Sequence, residues 1–167
     1  ENYVVTFHYK RGLKEIQSVR QELKNESILW EKTNTYIAYL ILDKIVDQYF
    51  PLVYDIEDQL NFFDNISYSH FSKNNIHKLY AIRARLLKLR RTITSMGDLL
   101  YRMINSSHVK TLLGNEKYFK DIYDHLLKLT EMIETQREIT SEIQANYMSV
   151  QSNRMNSIMT ILTIITA

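Results

Sequence analysis

Two carboxylates flank a tyrosine in the run Asp121-Ile122-Tyr123-Asp124. On spacing alone, acidic side chains three apart on a helix read as a solvated face or as favourable charge near a helix N-terminus. The five histidines make no transition-metal pattern. Only His70 and His77 are near one another, and seven residues across a connector is a poor ligand spacing. They read as surface histidines. Ser106, Ser107 and His108 are contiguous, but a nucleophile needs a base, a third orienting group and an oxyanion site, and nothing else supplies them. Cysteine is absent, which removes disulfides, thiolate metal sites and cysteine nucleophiles. No enzyme is expected. The run Arg83, Arg85, Lys88, Arg90, Arg91 could touch RNA or anionic lipid, but these cations alternate with an apolar seam and read as a solvated helical face. With a formal net charge of +2, no nucleic-acid partner is expected.

Long helices must carry these residues. The chain has three Gly and one Pro in 167 residues, so few sharp turns are available. From Tyr118 to the end there is neither, and apolar residues recur at Ile122, Leu126, Leu129, Ile133, Ile139, Ile143, Tyr147 and Val150. Those steps mark one face of a single helix, roughly 75 Å long at about 1.5 Å per residue. After Arg154 charge disappears, and Ile158 to Ala167 is nearly all apolar. Ten such residues are half of the roughly twenty that a bilayer crossing needs. The expectation is a stalk helix that reaches a membrane surface.

Upstream, Leu79, Ile82, Leu86, Leu89, Ile93, Met96, Leu100 and Met103 alternate steps of three and four, a heptad seam that predicts a helix over about 75–105. A preceding helix starts near Thr33 or Asn34 and runs to about Asn65, with a stripe of Ile37, Ile41, Ile45, then Leu52 or Val53, Ile56, Leu60 and Phe63. Pro51 predicts a kink near 47–51. Joined by a polar connector over 64–75, these two helices should form an antiparallel hairpin. Acidic Asp55, Glu57, Asp58 and Asp64 would face the basic run of the next helix and set register. Residues 13–24 form a short helix with Ile16, Val19 and Leu23 on one face, and 106–116 a second connector with Gly114 as its turn. Tyr3 to Tyr9 is β-branched and aromatic, which predicts a strand, although nothing else in the chain offers it a partner.

The blocks YFKDIYDH, SNRMNSIM and LTII, with LILDKIVDQYF upstream, closely resemble CorA-type magnesium transporters. The resemblance is densest after Tyr118 and weak over 64–117. It implies that 1–30 is the remnant of an α/β cytoplasmic domain, with the orphan strand left from its sheet. By the same reading 31–116 is the helical hairpin, and 117–167 is the stalk ending at the start of the first transmembrane helix. The fold expected is therefore mainly α: an antiparallel hairpin and a very long C-terminal helix.

The resemblance also implies roles. Asp121 matches a carboxylate that binds a regulatory divalent cation between subunits, and Asp43 matches a position linked to a second cytoplasmic site. The usual partner of Asp121 falls before Glu1, so that site would be incomplete. Asn156, Met159 and Leu162 match pore-lining positions. Where many relatives carry an acidic ring along the stalk this chain has Ala145, with Glu142 a candidate substitute. Mg²⁺ is the implied regulatory and transported ion, with Co²⁺ or Ni²⁺ as further cargo and a related zinc transporter left open. The implied partners are copies of itself in a homopentamer and a membrane, with this part on the cytoplasmic side of the inner membrane. The competing reading is a soluble helical interaction protein with no transport role.

Overall fold

A computed structural model describes residues 3–7, 13–25, 34–64, 72–107 and 116–167. Its elements are α1 (Lys14–Asn25), α2 (Asn34–Asp47), α3 (Tyr49–Asp64), α4 (Lys73–Asn105) and α5 (Glu116–Thr166). The predominantly helical expectation holds. The strand does not: Tyr3 to Phe7 adopt no regular structure, with Phe7 94% exposed, and residues 8 and 9 lie outside the described residues. β propensity chiefly measures how well a side chain packs on a sheet. With no strand among the described residues to complete a ladder, that segment has nothing to pair with.

The kink expected near Pro51 is a full interruption at Gln48, which separates α2 from α3. Pro51 then falls in the first turn of α3, where its missing N–H costs no helical bond. The start of α4 is two residues earlier than its periodicity suggested. Ser72 caps it: the Asn75 backbone N–H meets Ser72 Oγ at 3.3 Å and its carbonyl at 3.0 Å, satisfying a donor that has no intrahelical acceptor. The turn expected at Gly114 lies outside the described residues.

The helices divide into two compact units, Glu1–Leu52 with Ile93–Thr130, and Val53–Thr92 with Glu131–Ala167. In the first, Val19, Val46, Ile93, Leu100, Phe119, Ile122, Leu126 and Leu129 are buried. Here α2 runs parallel to the start of α5 at a constant offset of 82 residues, seen in the Tyr36–Tyr118, Tyr39–Asp121 and Asp43–His125 pairs. Lys44 reaches Glu22 of α1 at 2.6 Å.

The second unit contains the hairpin. Asp55 pairs with Arg85 at 2.9 Å, while Phe62 and Phe63 share a cleft with Lys78, so α3 and α4 are antiparallel, as the charge pattern predicted. An exposed pair of this kind stabilises by only about 0–1 kcal/mol. The apolar seam carries the unit: Val53, Ile56, Leu60, Phe63, Leu79, Ile82, Leu86, Ile133 and Ile143 are all buried. Val53 is fully buried and Leu52 is 45% exposed, which decides between the two stripe candidates. Between Ile133 and Ile143 the buried positions are Gln136 and Thr140, while Ile139 is only half-buried. Gln136 Nε2 donates to the Val53 carbonyl at 2.9 Å, and Thr140 Oγ1 donates to the Gln136 carbonyl at 2.7 Å.

Candidate metal centre

Within the first unit, α2 and α5 each present polar groups at a four-residue step toward the other: Tyr39, Asp43 and Asp47 from α2, Asp121 and His125 from α5. Four residues is close to one helical turn, so each set lies on one face. Parallel packing at a fixed offset then brings the two faces together.

His125 Nδ1 lies 3.6 Å from Asp43 Oδ1 and 3.7 Å from Asp47 Oδ1. Ligand atoms of all three residues fall within 4.8 Å of one another. These separations are too long for hydrogen bonds. Asp43 Oδ1 and His125 Nδ1 are both buried and have no hydrogen-bond partner. Leaving such groups unpaired costs about 1–3 kcal/mol each, more when charged. A cation between them removes that penalty. An ion bonded directly to all three at roughly 2.0–2.2 Å would need these atoms drawn closer together. A Mg²⁺ ion that keeps several waters could bridge them as they stand. Two carboxylates and an imidazole also suit Co²⁺, Ni²⁺ or Zn²⁺.

The electrostatics agree with a cation site. Burial pushes the Asp43 carboxyl above its ordinary range and the Asp47 charge pushes it further, opposed by His125 and Lys44. Burial first, then the charges of Asp43 and Asp121, raise the Tyr39 phenol to about 12. Burial and the neighbouring carboxylates outweigh His125 and Lys44 at Asp43, so a further cation there would be favourable. The imidazole packs edge-on with the Phe50 ring at 5.9 Å, and Lys128 Nζ lies over the Phe50 ring, 5.7 Å from its centroid.

Asp121 is held differently. Its Oδ2 accepts the Tyr39 hydroxyl at 3.2 Å, and it stands with Asp124 in an open cleft of about 570 Å³ beside Tyr39 and Tyr118. Tyr39 and Tyr118 stack at 4.9 Å. Asp43 is therefore placed in the three-residue cluster, and Asp121 next to it across Tyr39. Sequence reasoning missed His125, which it read as a surface histidine, and gave Asp47 no role. The available signal was the pair of four-residue steps, Asp43–Asp47 and Asp121–His125, and it means something only once the two helices are known to be parallel neighbours.

Asn156, Met159 and Leu162 lie in the second unit, all exposed on the last part of α5. Each carbonyl accepts a threonine hydroxyl one turn on: Thr160, Thr163 and Thr166, at 2.8–2.9 Å. These bonds turn the threonine hydroxyls inward to the backbone, so the helix end presents a more apolar surface. Ile158, Ile161, Ile164 and Ile165 are 58–74% exposed around it. Among the described residues no helix is long and apolar enough to cross a membrane.

The family model for CorA-like Mg²⁺ transporter protein matches residues 1–167. A putative metal ion transporter of Bacillus subtilis, YfjQ, is 44% identical over 165 residues, covering 99% of this chain and 51% of that protein. The cobalt/magnesium transport protein CorA of Thermotoga maritima is 30% identical over 168 residues, covering 99% of this chain and 47% of that protein. The chain thus spans about half the length of the curated relatives it matches. The solved CorA magnesium transporter of Methanocaldococcus jannaschii superposes with a TM-score of 0.77 at 21% identity, over 93% of this chain and 50% of that one, which shows the shared fold. On the family match along its whole length, this chain belongs to the CorA-like Mg²⁺ transporter family.

Proposed function

We propose that the chain is the cytoplasmic helical part of a CorA-type divalent cation transporter of the inner membrane, and that it senses internal Mg²⁺ to gate a pore. Mg²⁺ is both regulator and cargo in this reading, with Co²⁺ or Ni²⁺ as further cargo. The observation that carries it is the Asp43–Asp47–His125 cluster, with its two buried, unpartnered ligand atoms, on the two helices that hold the family's sequence blocks. Asp121 stands beside it as the second acidic element of the sensor. Occupancy would cancel repulsion among the carboxylates and so favour the arrangement in which α2 and α5 are closely packed. Copies of the chain assemble around the pore, a homopentamer by resemblance, and Asn156, Met159 and Leu162 face the lumen.

The exposed apolar end of α5 favours this over a soluble interaction protein. A surface with Ile158, Ile161, Leu162, Ile164 and Ile165 all more than half exposed suits lipid or neighbouring membrane helices. A longer parent that carries a complete span should pass Mg²⁺ into liposomes down its electrochemical gradient. The present chain should pass none, because ten apolar residues per copy cannot build a continuous lumen. A parent inert to every divalent cation, or equal leak from the chain alone, would overturn the reading.

A further inference from the structure

Three residues at the end of α5 carry the proposed lumen face, and their helical bearings enclose two more. At about 100° per residue, each step of three moves the bearing back by about 60°. Asn156, Met159 and Leu162 therefore span an arc of roughly 120° centred on Met159. Thr163 stands about 40° from Met159 on the Asn156 side, and Thr166 about 20° from it on the Leu162 side. Both are exposed, and both lie closer to the centre of the arc than Asn156 or Leu162. Whatever lumen those three face, Thr163 and Thr166 face as well. The isoleucines segregate the other way. Ile158, Ile161, Ile164 and Ile165 all lie about 100° or more from Met159, the side that suits lipid or neighbouring helices.

The two hydroxyls on this face have their hydrogens committed. Thr163 Oγ1 donates to the Met159 carbonyl at 2.8 Å. Thr166 Oγ1 donates to the Leu162 carbonyl at 2.9 Å and approaches the Thr163 carbonyl at 3.2 Å. A hydroxyl has one hydrogen and two acceptor lone pairs. With the hydrogen given to the backbone, each oxygen offers only lone pairs to its surroundings. Water bound to a cation turns its oxygen to the ion and its hydrogens outward, and Mg²⁺ gives up that water reluctantly. An acceptor oxygen therefore suits a hydrated divalent cation and opposes a hydrated anion.

We propose that Thr163 is a further cation-selecting residue of the path, with Thr166 one turn beyond it; this rests on the reading that Asn156, Met159 and Leu162 face a lumen. Thr163 is about 6 Å along the helix from Met159 and within about 2 Å of the level of Leu162. Copies of the chain around the lumen thus place acceptor oxygens among the apolar Met159 and Leu162 side chains. Apolar constrictions close by shedding water. The Thr163 oxygens hold water at the level where Leu162 would expel it, and they pass a hydrated ion on to Thr166.

The test is Mg²⁺ uptake by liposomes that carry the membrane-spanning parent. Thr163→Val keeps the shape, removes the oxygen and should cut flux several-fold. Thr163→Ser keeps the oxygen and should stay near the wild type. So should Thr160→Val, which removes a hydroxyl bonded to the backbone in the same way but about 100° from Met159, outside the arc. This chain has no cysteine, so in a parent freed of cysteine elsewhere a single introduced thiol reports its own surroundings. A water-soluble cationic methanethiosulfonate should block Thr163→Cys and Met159→Cys and leave Ile161→Cys conducting. Full flux in Thr163→Val, or equal loss in Thr163→Ser at equal expression, would overturn the role of the oxygen. Block of Met159→Cys without block of Thr163→Cys would overturn its placement and leave the proposed lumen standing. An inert parent, or a Met159→Cys variant that the reagent does not touch, would remove the lumen assignment and this inference with it.

Discussion

His125 Nδ1 and Asp43 Oδ1 face each other at 3.6 Å, both buried and both without a hydrogen-bond partner. Folding has brought two polar atoms out of water without pairing them, and the charge of Asp47 beside them adds to the cost. A bound divalent ion offsets it. At a concentration 100 times its dissociation constant the ion should add about 2.7 kcal/mol, which raises the melting temperature by roughly 5–10 °C for a chain of this size. Thermal unfolding with and without Mg²⁺ or Co²⁺ measures this. In His125→Gln and Asp43→Asn the shift should largely vanish. Metal-free Asp43→Asn should be no less stable than the wild type at pH 7, because it removes a carboxylate that burial disfavours.

Tyr39 should report the same negative pocket through its own titration. Its phenol is raised from 10 to about 12, by burial first and then by Asp43 and Asp121. A folded-state pKa above the unfolded one means a stabilising contribution that is complete below pH 10 and lost as pH rises through 12. Denaturation midpoints measured across that window should fall less steeply in Tyr39→Phe than in the wild type. Tyrosinate absorbance should lose one late-titrating group of the twelve. A variant whose titration curve lacks an early-titrating group would show that the pocket is not negative.

Regular elements were legible because burial follows period. The seam from Leu79 to Leu100 and the stripe from Ile122 to Ile133 needed only the count of residues per turn. The site was half legible. Asp43 and Asp121 came from resemblance, whereas His125 joins them through the parallel packing of α2 on α5, a relationship between segments 82 residues apart that no local pattern encodes. The failed strand at Tyr3–Phe7 has the same cause. Its local propensity was read correctly, but a strand exists only with a partner. Ser72 shows the opposite case, a local cap overlooked because its segment read as connector.

Gln136 interrupts an apolar stripe, and its place in the core carries a cost. Nε2 bonds the Val53 carbonyl, but Oε1 is buried with no hydrogen-bond partner. Replacement by methionine keeps the volume and removes the unpaired acceptor, so Gln136→Met should stabilise by about 1 kcal/mol. Gln136→Ala should destabilise by about 1–3 kcal/mol, because it leaves a cavity between Ile133 and Ile143 as well as losing the bond. Urea unfolding of the two variants separates these effects. Equal destabilisation in both would mean that the bond to Val53 outweighs the unpaired oxygen.

Asp121 should act on regulation and leave permeation alone. It lies 35 residues before Asn156 on the continuous helix α5, far from the residues that would meet an ion in the pore. Its neighbours are the Tyr39 hydroxyl, Asp124 and, across Tyr39, the Asp43–Asp47–His125 cluster. On the proposed function, charge there would bias how α2 and α5 pack and not which ion passes. Coupling of this kind is worth about 1–3 kcal/mol per effector, and several copies in one assembly would add their shares. Asp121→Asn in the membrane-spanning parent should therefore keep the selectivity among Mg²⁺, Co²⁺ and Ni²⁺ and weaken inhibition by internal Mg²⁺. The weakening should be partial, since Asp43, Asp47 and His125 would still hold an ion. Flux recorded against internal Mg²⁺ reads both quantities. In the Asp43→Asn, Asp121→Asn double variant the inhibition should be lost; a curve unchanged from the wild type at equal expression would remove the sensor from these residues.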